Sequence, residues 1–202
     1  MGVITQPMGA PPPIADPWVL PSRGRAGMIA LIITDSTFFS IFVAAYVFYI
    51  GKSLTPPYPH QVLSYPVFNT ICLLSSSLTI VVAARALRQG AIRQFALWWF
   101  LTLLLGIEFL IGTGLEWHRL IYQAGLTLRT NLFGTTYYSL VGLHALHVII
   151  GASAIALVMG LTWIGAVTQE HAERIEVLSW YWHFVDAVWV VVFVTVYVIS
   201  TR

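Results

Sequence analysis

The sequence predicts an all-α protein, an integral membrane bundle of five transmembrane helices. Three observations carry that expectation. Of 202 residues, 58% are hydrophobic and only 9% charged, whereas a soluble domain of this size carries about a quarter charged residues. Five runs, about 28–50, 66–87, 94–115, 135–163 and 177–200, are mostly apolar, and each holds the ~20 residues a helix needs to cross a ~30 Å hydrocarbon core. The breaks between the runs are short and rich in Pro, Gly and charge, which are chain-turning and water-facing residues.

The runs are helices rather than strands, because a barrel strand needs only ~9–11 residues. Unpaired backbone groups are costly in hydrocarbon, so each run closes its own hydrogen bonds. Residues 1–27, MGVITQPMGAPPPIADPWVLPSRGRAG, form a Pro-rich polar tail ahead of a membrane domain over 28–202. The tail lacks the ~7–15-residue apolar stretch of a cleavable signal, and Gln6 stands where a myristoylation site needs Ser or Thr. The first span, in ALIITDSTFFSIF, contains Asp35. The link GKSLTPPYPHQVLSYP follows, and its four prolines forbid a continuous helix.

The second span carries Ser75, Ser76, Ser77 and Thr79, and RQGAIRQ links it tightly to the third. In the third, LLGIEFLIGTGLEWHRL holds Glu108 and Glu116; YQAGLTLRTN then leads to the fourth, with His144 and His147. Ala152, Ala156 and Gly160 recur every four residues there, which offers a smooth face to a neighbouring helix. GAVTQEHAERIE leads to the fifth span, which opens SWYWHFVDAVW with His183 and Asp186.

Five crossings put the termini on opposite faces. Arg23, Arg25, Arg85, Arg88, Arg93 and Arg174 fall on one side; Lys52, Arg119, Arg129 and Arg202 fall on the other. The six-to-four bias predicts a cytoplasmic N-terminus. Cys72 is the one cysteine and forms no intrachain disulfide, and a net charge of +2 gives no sign of a nucleic-acid partner.

An ionisable group inside a span costs ~2.5–3.5 kcal/mol on insertion scales, so Asp35, Glu108, Glu116, His144, His147, His183 and Asp186 are the candidate functional residues. Residues three apart on a helix lie about 60° apart on one face, which pairs His144 with His147 and His183 with Asp186. Paired helical ligands suggest a metal site, but the Glu-x-x-His pairs of di-iron bundles are absent. The favoured reading assigns no metal and no catalytic role. Instead Glu116, His144, His147, His183 and Asp186 hydrogen-bond across helix interfaces, at ~0.6 kcal/mol per contact. Asp35 and Glu108 are left as intramembrane acids with a proton, ion or lipid role. Trp180, Tyr181 and Trp182 are expected at headgroup level, where amphipathic rings gather, with HFVD one turn deeper.

SWYWHFVDAVWVVVFVTVY (179–197) closely resembles the final helix of the cytochrome c oxidase subunit III family. GTTYYSLVGLHALHVIIG (134–151) resembles its G-F-H-G-L-H-V helix, GTGLEWHRL its Q-x-x-E-Y/W segment through Glu116, and FNTICLLSSSLTI its L-N-T-x-x-L-L-x-S-S helix. The resemblance runs in order from about residue 28 to the C-terminus. It implies the five-helix bacterial form, a non-catalytic core subunit of a haem–copper terminal oxidase in the bacterial cell membrane. It further implies partner subunits I and II, haem and copper held by those partners and not by this chain, phospholipids in a cleft, and support of proton uptake and oxygen access. Membership of a larger respiratory supercomplex is compatible with it. Asp35 stands where the family has a glutamate in S-E-x-x-F-F, Glu108 where it has an apolar or small residue, and Leu161 and Trp163 where some members have a lipid-binding arginine. An accessory protein of a nitric oxide reductase and subunit III of a quinol oxidase are the alternatives. A free-standing transporter is more remote, for want of an inverted repeat or broken-helix pair.

Overall fold

The computed structural model describes residues 22–200; residues 1–21 of the tail expected over 1–27, and Arg202 of the charge count, lie outside them. Among the described residues every regular element is helical. They are α1 (Arg23–Tyr49), the short α2 (Pro59–Val62), α3 (Val67–Arg88), α4 (Ile92–Tyr122), α5 (Leu132–Trp163), a single 3-10 turn (Gln169–His171), α6 (Ala172–Phe193) and a π-helical continuation (Val194–Ile199). Five segments are long and apolar enough to cross a membrane: α1, α3, α4, α5, and α6 with its flanking turns.

The spans match the five apolar runs, but several of their ends move outward. Residues 23–27, expected in the tail, already belong to α1, since no proline stands between Pro21 and Pro56 and Arg and Ala are good helix formers. α4 continues seven residues past the apolar run, through EWHRLIY. Hydropathy falls there because the helix leaves the hydrocarbon, while nothing breaks it before Gly125, whose φ of 65° turns the chain. The last helix starts at Ala172 rather than 177. Asn131 caps α5, its side chain accepting from the Gly134 amide at 2.8 Å, which satisfies one of the free N–H groups of the first turn.

α3 and α4 form a tight antiparallel hairpin, and α5 and α6 pack beside it. α1 lies outermost, burying only Phe39 and Tyr46. On one face, Arg25 of α1 pairs with Glu173 at 3.2 Å and Glu176 at 3.5 Å, and Arg88 of α3 also pairs with Glu176. On the other face, Arg119 donates to Val62 O at 3.0 Å, and Asn131 donates to Thr55 O at 2.8 Å, tying the loops together.

The centre is organised by Trp182, which is fully buried. Its ring lies against Gly106 of α4 and Gly151 of α5, where a Cβ on either glycine would come within 2.8 Å of the indole. Its Nε1–H donates to Ser76 Oγ of α3 at 2.7 Å. Trp182 therefore belongs to the interior of the bundle, as does Tyr181, which is also buried and donates to His147 O at 3.2 Å. Because α6 starts at Ala172, SWYW lies about 10–15 Å along its axis from that end. Trp180 alone of the three is partly exposed, 6.0 Å from the Arg25 guanidinium. The small-residue face is also displaced from expectation. Ala156 and Gly160 are exposed, and α5 instead packs through Gly151, Ala152, Ile155 and Met159.

Gly151→Ala is therefore expected to lower the unfolding midpoint in detergent, by about 1–3 kcal/mol of overpacking. Gly160→Ala, with nothing within 4 Å of its Cβ, should leave it unchanged. Equal losses in thermal scans of the two variants would remove Trp182 as the cause.

Candidate functional site

The polar residues of the spans do not converge on one centre. They form separate contacts, each joining different helices, and the donor geometry of each can be worked out from its partners.

His183 and Asp186 share one face of α6, and Ser77 of α3 bridges them. The Ser77 hydroxyl donates to Asp186 Oδ2, so its oxygen is left to accept, and the His183 Nδ1 at 2.9 Å must carry the hydrogen. The result is a directed chain, imidazole to hydroxyl to carboxylate, across the α3–α6 contact. Asp186 is 3% exposed, and its Oδ1 has no hydrogen-bond partner among the described residues. A crevice of about 220 Å³ lined by Arg85, Arg88, Glu176, Ser179 and His183 leads to this chain from the charged face.

His147 of α5 turns towards α1. Its Nδ1 lies 2.8 Å from Leu143 O; a carbonyl only accepts, so Nδ1 carries hydrogen. Its Nε2 lies 3.5 Å from Asp35 Oδ2. An imidazole beside a carboxyl group across the α1–α5 contact lowers the cost of placing either one in hydrocarbon. The Phe39 ring covers the imidazole at 4.9 Å.

Glu116 lies in the part of α4 that extends past the apolar run. Tyr197 donates to its Oε2 at 3.0 Å, and the Tyr137 hydroxyl sits 3.3 Å from that of Tyr197. With the Tyr197 hydrogen committed to Glu116, Tyr137 is the donor. Thr195, Val196 and Tyr197 are buried in succession, an arc the wider π turn presents together. Sequence reasoning missed both tyrosines, along with Ser77 as the bridge. Their positions in YYS, SSS and VTVY gave no periodic signal.

His144 departs from the expected network. It is fully buried and neither ring nitrogen has a hydrogen-bond partner among the described residues. Its ring packs against Phe109 at 5.6 Å and Trp189 at 5.0 Å. The 60° offset between it and His147 is enough to send one imidazole to α1 and the other into the aromatic centre. Glu108 stands apart from all of these, half-buried on the outer side of α4. Among the described residues no three His, Cys, Asp or Glu side chains group so as to hold a metal ion.

Five crossing helices, bound at their contacts by single hydroxyl, imidazole and carboxyl groups, define a multi-pass membrane protein. The sequence profile of cytochrome c oxidase subunit III matches residues 22–201, and the chain belongs to that family. It is 34% identical over 188 residues to cytochrome c oxidase subunit 3 of Branchiostoma lanceolatum, covering 86% of this chain and 68% of that one. It is 36% identical over 141 residues to the protein of that name from Corynebacterium diphtheriae, covering 70% and 68%. The probable cytochrome c oxidase subunit 3 of Nocardia farcinica is 32% identical over 184 residues, covering 88% of each chain. Membership places the chain in a complex with other oxidase subunits.

Ser77→Ala should strip His183 and Asp186 of their shared partner at once, costing about 1–3 kcal/mol for the carboxyl group left unsatisfied, while Ser77→Thr retains most of it. Unfolding midpoints for the two variants check this. A drop as large for threonine as for alanine would point to packing instead.

Proposed function

We propose that the chain is the non-catalytic subunit III of a bacterial haem–copper terminal oxidase. In this reading it packs on catalytic subunit I in the cell membrane, with subunit II completing the core and with haem and copper held entirely by those partners. Its N-terminus faces the cytoplasm and its C-terminus the outer side. The charged cluster of Arg25, Arg88, Glu173 and Glu176 then marks the cytoplasmic face, together with the larger share of arginines.

One observation carries the functional part. A groove of about 770 Å³ runs between α1 and α6, lined by Ser36, Phe39, Val43, Phe184, Val188 and Val191. Its serine hydroxyls are already used: Ser36 donates to Ile32 O at 2.6 Å and Ser40 to Thr37 O at 2.6 Å. A surface with its polar atoms satisfied within its own helix suits acyl chains, and apolar chains are also a good solvent for molecular oxygen. The Asp35–His147 pair lies one turn from this groove, through Phe39. An apolar groove suited to phospholipid and an imidazole–carboxyl pair beside it support a role in sustaining oxygen access and proton uptake by the catalytic partner.

Purified in mild detergent from its own membrane, the chain should co-migrate with haem absorbance and a large catalytic subunit. Recovery alone, without a visible spectrum, would sink the reading. In that complex Asp35→Asn should leave initial oxygen consumption largely intact and shorten the period over which turnover is sustained. Immediate and complete loss in an oxygen-electrode trace would place Asp35 on an obligatory proton route instead.

A further inference from the structure

A hydroxyl between an imidazole and a carboxyl group can pass a proton as well as join two helices, because it donates and accepts at once. The His183–Ser77–Asp186 chain has that form, and its two ends differ. At the outer end, His183 is half-buried and lines the crevice of about 220 Å³ that opens among Arg85, Arg88 and Glu176. A space of that size with charged walls admits water. His183 Nδ1 is committed to Ser77 at 2.9 Å. Its Nε2 has no hydrogen-bond partner among the described residues, and it is not one of the polar atoms sealed inside the bundle. An imidazole with its hydrogen on Nδ1 keeps a lone pair on Nε2, so this nitrogen is the basic point that crevice water can reach.

At the inner end, Asp186 is 3% exposed, with Oδ2 taken by Ser77 and Oδ1 without a partner among the described residues. Nothing carries the chain further. One turn on along α6 stands the buried indole of Trp189, whose Nε1–H donates to Thr70 Oγ1 at 3.1 Å, and an indole nitrogen only donates. The other ionisable groups around α6 are engaged elsewhere. Glu176 pairs with Arg25 and Arg88 at the mouth, Asp35 faces His147, Glu116 accepts from Tyr197, and His144 lies among aromatic rings. The chain is open to the charged face and closed at its other end.

We propose that His183, Ser77 and Asp186 form a dead-end proton site, which takes up a proton from the charged face at His183 Nε2 and stores it on the Asp186 carboxyl group. The transfer reverses the existing bonds. A hydronium ion in the crevice gives its proton to Nε2, the Nδ1 hydrogen passes to Ser77 Oγ, and the Ser77 hydrogen passes to Asp186 Oδ2. Water is left in the crevice, and the imidazole is again neutral, with its hydrogen on Nε2. The bonds then run from carboxyl to hydroxyl to Nδ1. The carboxylate charge, costly in hydrocarbon, is gone, and the reverse order returns the proton through the same mouth. The site uses residues of this chain alone and does not rest on the identity of the partner subunits.

The test is infrared difference spectroscopy of the chain in its native complex, stepped between alkaline and acidic medium and between H2O and D2O. A protonated-carboxyl stretching band should appear on the acidic side, shift in D2O and vanish in Asp186→Asn. Asp186→Glu should displace the band, and serves where Asp186→Asn fails to assemble. His183→Gln, which can still donate to Ser77 but takes up no proton, and Ser77→Ala should each slow deuterium exchange of the band by roughly tenfold or more. Ser77→Thr, which keeps the hydroxyl, should exchange at the original rate. The two slowing variants break the chain at different points, so failure of one to assemble leaves the other. An Asp186 band present at every pH, or absent at every pH, overturns the site. Exchange at an unchanged rate in His183→Gln and Ser77→Ala overturns it equally. Each of these results leaves the oxidase reading standing, since that reading is tested by co-migration with haem.

Discussion

The indole of Trp182 fills the space between α4 and α5 because each of those helices sets a glycine against it. In lipid no hydrophobic force draws apolar helices together, so close approach and a few polar contacts must supply the association. Trp182 provides both. Its flat ring lets Gly106 and Gly151 come near, and its single donor reaches Ser76 across the α3 contact. Three helices are thereby set relative to α6, and the register of α6 decides where His183, Asp186 and Trp189 fall.

The polar contacts that follow from that register obey one rule. Three acids meet a polar partner from another helix: Asp186 meets Ser77, Glu116 meets Tyr197, and Asp35 meets His147. Hydroxyl groups recur because they donate and accept at once, so one serine or tyrosine can serve two partners without bringing a charge. Ser77 stands between an imidazole and a carboxylate, and Tyr197 between a carboxylate and a second tyrosine. This arrangement stabilises helix contacts. His144, set among aromatic rings with neither nitrogen engaged, serves as a packing residue in this bundle.

The surface divides along the same line. The α1–α6 groove has satisfied its own hydroxyls and presents hydrocarbon, whereas on the α3–α4 face the Glu108 carboxyl group buries its Oε2 atom and lies against the Cys72 thiol. Both are apolar by composition and differ in how their few polar atoms are placed. Residue type alone does not separate them; the partners already used inside the chain do.

Length and hydropathy determined the five spans, their order and the pairing of neighbours through short links, because the bilayer imposes a fixed thickness and forbids unpaired backbone. The motifs around His144, Glu116 and Asp186 identified the family. The chain's own helix ends were less legible, since α4 and α6 continue into water where hydropathy falls but the backbone is free to go on. Only tertiary structure decided that Tyr181 and Trp182 are interior, that the packed face of α5 is Gly151 to Met159, and that His144 and His147 part company. Those outcomes depend on how helices rotate and approach one another. A rotation of a few tens of degrees exchanges a headgroup, a neighbouring helix and a lipid chain as the environment of one side chain, and the linear order of residues carries no record of it.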